Sequence, residues 1–217
     1  MKKLIALIIP FIFLGSSYSE DFRFGVFIDP QFSWLTPDIK DIDKDGARLS
    51  IKGGLIIDFF FAENYAFTTG LSISNSGGNL LYSDSLTLEI HGTDQHLSPE
   101  TTVNYKLQYL TIPIGLKFKT KQLGYLTFFA HLGLAPEINV KATADASDDQ
   151  LENENVNDEV NLFNLSYYFG GGLEYSLGGN TALFTGINYH NGFIDVLTSN
   201  NSKEIQSLLS ISLGIMF

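Results

Sequence analysis

The segment Ser210-Ile211-Ser212-Leu213-Gly214-Ile215-Met216-Phe217 alternates small or flexible residues with large apolar ones. Alternation of this kind gives a β-strand two different faces, because successive side chains point to opposite sides. Ile211, Leu213, Ile215 and Phe217 share one face, which a soluble protein seldom presents along a terminal strand. The lipid-facing side of a strand in a bacterial outer-membrane β-barrel has this pattern. The segment therefore predicts a strand that lies in a membrane.

The N-terminal residues predict export from the cytoplasm. Met1-Lys2-Lys3 is a short basic region, residues 4–14 form an apolar run, and residues 15–19 are mainly small. This order is typical of a secretory signal peptide, and the apolar run is shorter than the ~20 residues of a membrane-spanning helix. We expect residues 1–19 to be a cleaved signal peptide and residues 20–217 to form one β-barrel domain. No cysteine is present, which excludes a lipoprotein anchor.

Charge and cysteine content exclude several classes of function. The chain has 24 acidic and 13 basic residues, a formal net charge of −11 and no cysteine. Such a surface repels nucleic acid, because binding to phosphates requires Lys and Arg. A disulfide framework is excluded as well. No segment after the leader is apolar for long enough to be a membrane helix, so a membrane-embedded mature chain must cross as strands.

The alternation recurs along the chain and predicts eight strands. They cover residues 22–34, 48–61, 65–74, 105–118, 125–140, 162–177, 181–190 and 205–217. Pro113 makes the fourth strand the least regular, since proline is usually confined to edges and bulges. The connections alternate between long and short, and Ala62-Glu63-Asn64 and Gly178-Gly179-Asn180 suit tight hairpins. The pattern predicts an all-β, eight-stranded antiparallel up-and-down transmembrane β-barrel with short periplasmic turns and long extracellular loops.

A soluble lipocalin-like barrel that carries a ligand in the periplasm is the main alternative, because its strands alternate with the apolar face inward. Three features favour the membrane barrel. The predicted strands are long enough to cross a bilayer. Aromatic residues lie near both ends of the apolar faces, as in interfacial girdles. The opposite faces are rich in Gly, Ser and Thr, as a narrow interior requires.

Three segments resemble the PorT-like family of outer-membrane β-barrel proteins. They are Tyr109-Leu110-Thr111-Ile112-Pro113-Ile114-Gly115-Leu116-Lys117, Phe169-Gly170-Gly171-Gly172-Leu173-Glu174-Tyr175 and the final segment that ends at Phe217. Thr111 stands where the family pattern leads us to expect an acidic residue. The resemblance implies an eight-stranded outer-membrane barrel, and some family members serve a secretion system that also supports gliding. It carries over no catalytic residue.

Four charged residues are predicted to lie in the inner, periplasmic half of the barrel interior: Arg23, Asp58, Lys117 and Glu174. An eight-stranded barrel has room only for side chains or one small ligand, which disfavours an open pore. We therefore expect the two bases and two acids to form an ion-pair network that fills the lumen. A gated or proton-conducting path is the functional alternative, since charges within a membrane are often functional.

Two predicted outer loops contain residues that could bind metal. Asp41, Asp43 and Asp45 have the alternating spacing of a calcium loop, followed by Gly46. Lys52 stands at the position that would hold the closing glutamate, so a solvated acidic loop is the alternative. The third outer loop carries the acidic residues Asp145, Asp148, Asp149, Glu152, Glu154, Asp158 and Glu159. A block of like charge favours a disordered, solvated segment that could bind divalent cations loosely.

The longest predicted loop contains His91-Gly92-Thr93-Asp94-Gln95-His96. An outer-membrane hydrolase of lipids or peptides could use His91, Asp94 or His96 with an exposed serine such as Ser83 or Ser85. The spacing matches no motif of a known active site, so we expect a non-enzymatic protein without a cofactor. Its predicted role is structural or accessory in the outer membrane. We expect a monomer in outer-membrane lipid that contacts an envelope or secretion complex and binds no nucleic acid.

Overall fold

The computed structural model describes residues 22–90, 93–147, 152–198 and 202–217. The predicted signal peptide, residues 1–19, lies outside the described residues. Within the described part of the chain, no helix has both the length and the hydropathy needed to cross a membrane.

Antiparallel strands make up most of the described chain. In chain order they are β1 (Phe22–Pro37), β2 (Ile42–Lys44), β3 (Arg48–Ala62), β4 (Tyr65–Tyr82), β5 (Leu86–Ile90), β6 (Thr93–Leu97), β7 (Thr101–Thr111), β8 (Ile114–Lys119), β9 (Leu126–Ala146), β10 (Glu154–Asn155), β11 (Phe163–Gly178), β12 (Thr181–Gly192) and β13 (Glu204–Met216). One turn of 3-10 helix covers Asn157–Glu159.

The sheet closes into an eight-stranded barrel. The ring runs β1, β3, β4, then β7 and β8 as one interrupted strand, β9, β11, β12 and β13. β13 pairs back onto β1, from Gly25 with Met216 to Pro37 with Glu204. Following the paired residues once around the ring from Arg23 leads back to β1 at Ser33, a shear of ten residues. Such a stagger tilts the strands by about 35–45° and leaves an interior that side chains fill.

The apolar faces of the strands point outward. Along β1, β9 and β13 the large apolar side chains are about half exposed, while their neighbours point into the barrel. Paired aromatic rings mark the two ends of this band. Phe24 with Phe217 and Tyr125 with Tyr175 lie at the short-turn end, and Trp34 with Tyr189 lies at the other. The predicted orientation is confirmed, and a lipocalin-like carrier with inward apolar faces is ruled out.

The predicted short turns join strands at one end of the barrel, which we call the inner end. β3 and β4 are separated by two residues, Glu63 and Asn64, and β11 and β12 by Gly179 and Asn180. Gly178 and Gly179 have φ angles of +105° and +58°, which glycine adopts without a steric penalty. By the rule for transmembrane barrels, this end faces the periplasm.

The irregularity predicted at Pro113 is confirmed. β7 ends at Thr111 and β8 starts at Ile114, so the fourth barrel strand is interrupted at Ile112 and Pro113. Proline has no N–H for the ladder. The N–H of Ile112 still donates to the carbonyl of Pro136 at 3.0 Å, which holds the broken strand against β9.

At the outer end, three strands continue well beyond the lipid-facing band. The continuations of β4, β7 and β9 pair with one another, while β2 adds to β4 and β10 adds to β9. Inward side chains of these strands, with others from β1, β6 and the connections, form a buried cluster, which we call the apolar cap. Its members are Leu35, Ile42, Leu80, Tyr82, Leu97, Val103, Tyr105, Leu107, Tyr109, Ala142, Ala144, Ala146, Val156, Val160, Val196 and Leu197. Burial of this surface stabilises an ordered domain outside the membrane.

The prediction of solvated, irregular outer loops is therefore wrong in several places. The connection after β4 contains the hairpin of β5 and β6. The acidic segment after β9 contains β10 and the 3-10 helix, and Val156 is completely buried in the cap. A few apolar residues order this segment despite its charge. Asp148 and Asp149 lie outside the described residues.

Candidate functional site

A network of charged side chains occupies the inner end of the lumen. Lys117 Nζ lies 2.7 Å from Asp58 Oδ2 and 2.9 Å from Glu174 Oε1. The other oxygen of Glu174 accepts from Arg23 Nη1 at 2.8 Å and from Lys119 Nζ at 2.6 Å. Thr68 Oγ1 donates to the second oxygen of Asp58 at 2.5 Å. The network thus joins three cations to two carboxylates.

The barrel geometry explains how distant residues meet there. Arg23 and Asp58 are cross-strand partners on β1 and β3, and both point inward. Lys117 and Lys119 are two residues apart on β8 and therefore share the inward face. Glu174 reaches them from β11 across the lumen. Asp58 is completely buried and Lys117 nearly so, and the mutual pairing offsets part of the large cost of removing such charges from water.

An apolar layer lies next to the charged network. Phe129, Phe184 and Met216 form a small buried cluster, against which Phe27 and Ile56 pack. Lys117 Nζ lies 4.7 Å from the centroid of the Phe129 ring, a cation–π contact. The layer and the network together fill the inner half of the barrel interior.

A group of hydrogen-bonded polar side chains follows toward the outer end. His131 Nε2 lies 2.5 Å from Asn188 Oδ1, and the amide of Asn188 donates to Ser212 Oγ at 2.7 Å. Because that oxygen is the amide's acceptor, the histidine nitrogen is the donor. Lys52 Nζ lies 3.7 Å from Asp29 Oδ2 in the same region. Together with apolar side chains such as Phe129 and Phe184, these residues line a cavity of about 60 Å³, too small for an aqueous channel.

A further buried charged group is Glu204, at the start of β13 beside the apolar cap, where its backbone carbonyl accepts from the N–H of Val196. The residue is completely buried. Burial, together with the negative charges of Asp195 and Asp38, raises the pKa of Glu204 to about 7. The side chain of Ser202 opposes this shift by hydrogen bonding. Glu204 lies above the outer aromatic pair and outside the membrane-spanning part of the chain.

We expect Glu204→Gln to stabilise the folded protein above pH 7 and to have little effect near pH 4. Glu204 has a higher pKa when folded than when unfolded, so the wild type loses stability as the pH rises from about 4.5 through 7. The gain at pH 8 should be at most about 3 kcal/mol, since a pKa change of one unit corresponds to about 1.4 kcal/mol. Urea unfolding in detergent micelles from pH 4 to pH 8 measures it. A gain in stability that is equal at pH 4 and pH 8 would contradict a raised pKa of Glu204 in the folded protein.

The three aspartates predicted as calcium ligands lie in or next to a short strand. Asp43 lies within strand β2 (Ile42–Lys44), and Asp41 and Asp45 flank it. Asp45 Oδ2 accepts a hydrogen bond from Thr102 Oγ1 at 2.7 Å. In the described ranges, no three His, Cys, Asp or Glu side chains are grouped so that they could hold a metal ion.

The histidine-containing segment belongs to the hairpin of β5 and β6. His91 lies outside the described residues, and the backbone of Asp94 pairs with that of Glu89. His96 is exposed, and its Nδ1 lies 2.7 Å from Thr87 Oγ1 across the hairpin. The partner of His96 in this contact is Thr87, whereas the hydrolase hypothesis requires an exposed serine such as Ser83 or Ser85.

Sequence reasoning missed several interior contacts. Lys119 could have been found, because it lies two residues after Lys117 on the same face. The pair of Asp29 and Lys52 requires the register of β1 against β3, which a long connection leaves open. The contact of Glu137 with the amide of Asn164, 2.7 Å, likewise depends on register.

The closed sheet, the outward apolar faces and the filled lumen define a transmembrane β-barrel. The chain belongs to the family described as outer membrane protein beta-barrel domain, whose model matches residues 15–198. Its location is the bacterial outer membrane. Among curated proteins, no sequence matches.

Solved outer-membrane proteins are similar in fold. Neisserial surface protein A is 13% identical, with 89% of this chain and 95% of that chain covered and a TM-score of 0.49. The outer membrane protein OprG from Pseudomonas aeruginosa is 10% identical, with 89% and 94% covered and a TM-score of 0.47. The attachment invasion locus protein Ail of Yersinia pestis is 14% identical, with 91% and 100% covered and a TM-score of 0.44.

Proposed function

We propose that the protein is a non-conducting, non-enzymatic barrel with an accessory role in the outer membrane. One observation carries the proposal: the lumen is filled at both ends. The paired charges around Lys117 fill the inner end, and the apolar cap covers the outer end. A solute would have to break buried ion pairs and open a packed core to pass. Its exposed surfaces are then the parts available to partners.

The resemblance to PorT-like proteins supports secretion or surface assembly as the setting of this accessory role. The outer surface presents a folded domain built on β4, β7 and β9, and the inner end presents short turns to the periplasm. Both surfaces belong to one rigid, closed sheet. A protein of this shape suits contact with an envelope complex better than transport of small solutes.

Osmotic swelling of proteoliposomes tests the closed lumen directly. Purified full-length protein should give no swelling in sugars that a 16-stranded porin admits. Swelling comparable to that of the porin would contradict the proposal.

Gene deletion tests the accessory role separately. A strain that lacks the protein should export or display an altered set of proteins, and the wild-type gene should restore the original set. An unchanged set of exported and surface proteins would overturn the accessory role. Lipid or peptide hydrolysis by the purified barrel would overturn the non-enzymatic assignment.

A further inference from the structure

A cleft opens at the inner end of the barrel, next to the charged network. It has a volume of about 170 Å³ and is polar, with Arg23, Lys119, Gln122, Thr127, Ser176 and Asn180 among its lining residues. The turn between β11 and β12 forms one side of it, and the segment between β8 and β9 contributes to the other. A cleft of this size admits a small organic ion or the end of a peptide.

The cleft carries an excess of positive charge. The network has three cations, Arg23, Lys117 and Lys119, and two carboxylates, Asp58 and Glu174. Lys117 is buried between the two carboxylates, whereas Arg23, Lys119 and Glu174 line the cleft, which leaves one positive charge in excess there. The chain as a whole has a net charge of −11, so this basic region differs from the composition of the protein. An uncompensated positive charge in a partly buried site favours an anion.

The two cations that line the cleft have unused donors. Arg23 donates from Nη1 to Glu174 and from Nη2 to the backbone carbonyl of Asn180 at 3.0 Å. Its Nε is buried and has no hydrogen-bond partner among the described residues. The hydrogen bond of Lys119 Nζ is to Glu174 at 2.6 Å. Guanidinium has five N–H donors and ammonium has three, so both groups can donate further, and an oxyanion accepts such bonds.

We propose that this cleft binds a small oxyanion, a carboxylate or a phosphate, presented from the periplasm to Arg23 and Lys119. Glu174 holds the two cations in place and the anion balances the third positive charge of the network. The hydroxyls of Thr127 and Ser176 supply further polar contacts at the wall. The inference goes beyond the proposed accessory function and does not depend on it, because a closed barrel of any role would present this cleft to the periplasm.

Binding is tested with three probes on the full-length barrel in a non-ionic maltoside detergent at low salt. N-acetylglycine supplies a carboxylate and inorganic phosphate supplies a phosphate. N-acetylglycinamide is the uncharged counterpart of N-acetylglycine. Backbone amide chemical shifts of residues around the cleft report binding. Saturable shifts with either anion but not with the amide support the proposal and identify the anion. Equal binding of the acid and the amide, or no binding of either anion, overturns it.

A matched pair of lysines provides the control. Lys119→Gln should weaken anion binding by about tenfold or more, since a hydrogen bond to a charged group is worth ~1.5–3 kcal/mol. Lys121→Gln removes the same charge from an exposed residue two positions further along, in the connection between β8 and β9, and should change the affinity by less than about twofold. Equal effects of the two variants would show non-specific attraction and would overturn the site.

A third variant keeps the proposal testable if Lys119→Gln does not fold. Ser176→Asp places a carboxylate in the cleft beside the cations. It should abolish binding of both anions while the barrel keeps its heat-dependent shift on a denaturing gel. Undiminished binding by a folded Ser176→Asp barrel would contradict the proposal. Liposome swelling remains a separate measurement, so failure of the cleft and failure of the closed lumen give different results.

Discussion

Replacing Lys117 by methionine should destabilise the barrel by about 3–5 kcal/mol, the cost typical of breaking a buried ion pair. Methionine keeps most of the side-chain volume, so the loss reports charge rather than a cavity. The substitution leaves Asp58, which is completely buried, with Thr68 as its remaining hydrogen-bond donor. Glu174 loses one of its ion pairs but keeps those with Arg23 and Lys119. Equilibrium urea unfolding in lipid vesicles measures the change.

The chain offers a matched control in a second lysine–aspartate pair. Lys106 and Asp145 form an ion pair outside the membrane, with side chains 31% and 32% exposed. Partial burial raises the pKa of the Asp145 carboxyl, but hydrogen bonds from Lys106 and from the backbone N–H of Asn153 lower it further, so the pKa lies below its usual value. Water also solvates this pair, so Lys106→Met should cost less than about 1 kcal/mol. Equal losses at Lys117 and Lys106 would contradict the assignment of the buried network.

A rescue variant separates the unpaired charge from general damage. Asp58→Asn in the Lys117→Met background removes the negative charge that the first substitution leaves unpaired. The double variant should therefore be more stable than Lys117→Met alone by about 1–3 kcal/mol, a coupling typical of contacting residues. If the double variant loses more than the sum of the single losses, the two side chains do not act as a charge pair.

The sequence predicted the inner ends of strands better than the outer ends. The predicted starts at residues 22, 65 and 181 match β1, β4 and β12. There the contrast between lipid and lumen gives each strand a clear period of two. Beyond the outer aromatic pair the strands no longer contact lipid, so their outward side chains need not be apolar. β4 continues through Gly77, which has a φ of +120° and lies against the carbonyl of Tyr105, where a Cβ would not fit.

The apolar cap could not be derived from the pattern for a related reason. Val103, Tyr105 and Leu107 continue the inward phase of β7, but the interior changes from polar to apolar at this height. Their partners, such as Val156 and Val196, come from segments without alternation. Tertiary contacts therefore determine which side chains form the apolar cap. The hydroxyls of Tyr82 and Tyr105, 2.9 Å apart, satisfy each other inside it.

Strand phase predicts that the four site residues face inward and form one ion-pair network, but it does not say which acid contacts which base. Period-two spacing places Arg23, Asp58, Lys117 and Glu174 on interior faces. Which of them meet depends on the ten-residue shear, and the long connection between β1 and β3 does not fix the register. Strand phase alone therefore left the interior pairs undetermined.

Introducing arginine at Leu132 should destabilise the barrel by about 2–4 kcal/mol in lipid vesicles, although this side chain is 52% exposed. Leu132 lies near the middle of the membrane-crossing part of β9, between Leu116 and Phe169 on the outer face. A charge there must leave water or distort the bilayer. In a soluble barrel, the same exposed position would tolerate arginine within about 0.5 kcal/mol.

The matched control for Leu132→Arg is Leu162→Arg. Leu162 is 69% exposed and lies just before β11, beyond the contact of Tyr167 with Phe193 near the outer edge of the apolar band. Arginine near the interface costs about 0–1 kcal/mol, because its head group reaches water. Urea unfolding of both variants in the same vesicles should therefore give very different losses. Similar small losses would mean that the half-exposed face of β9 contacts water, and the location of the barrel would have to be reassigned.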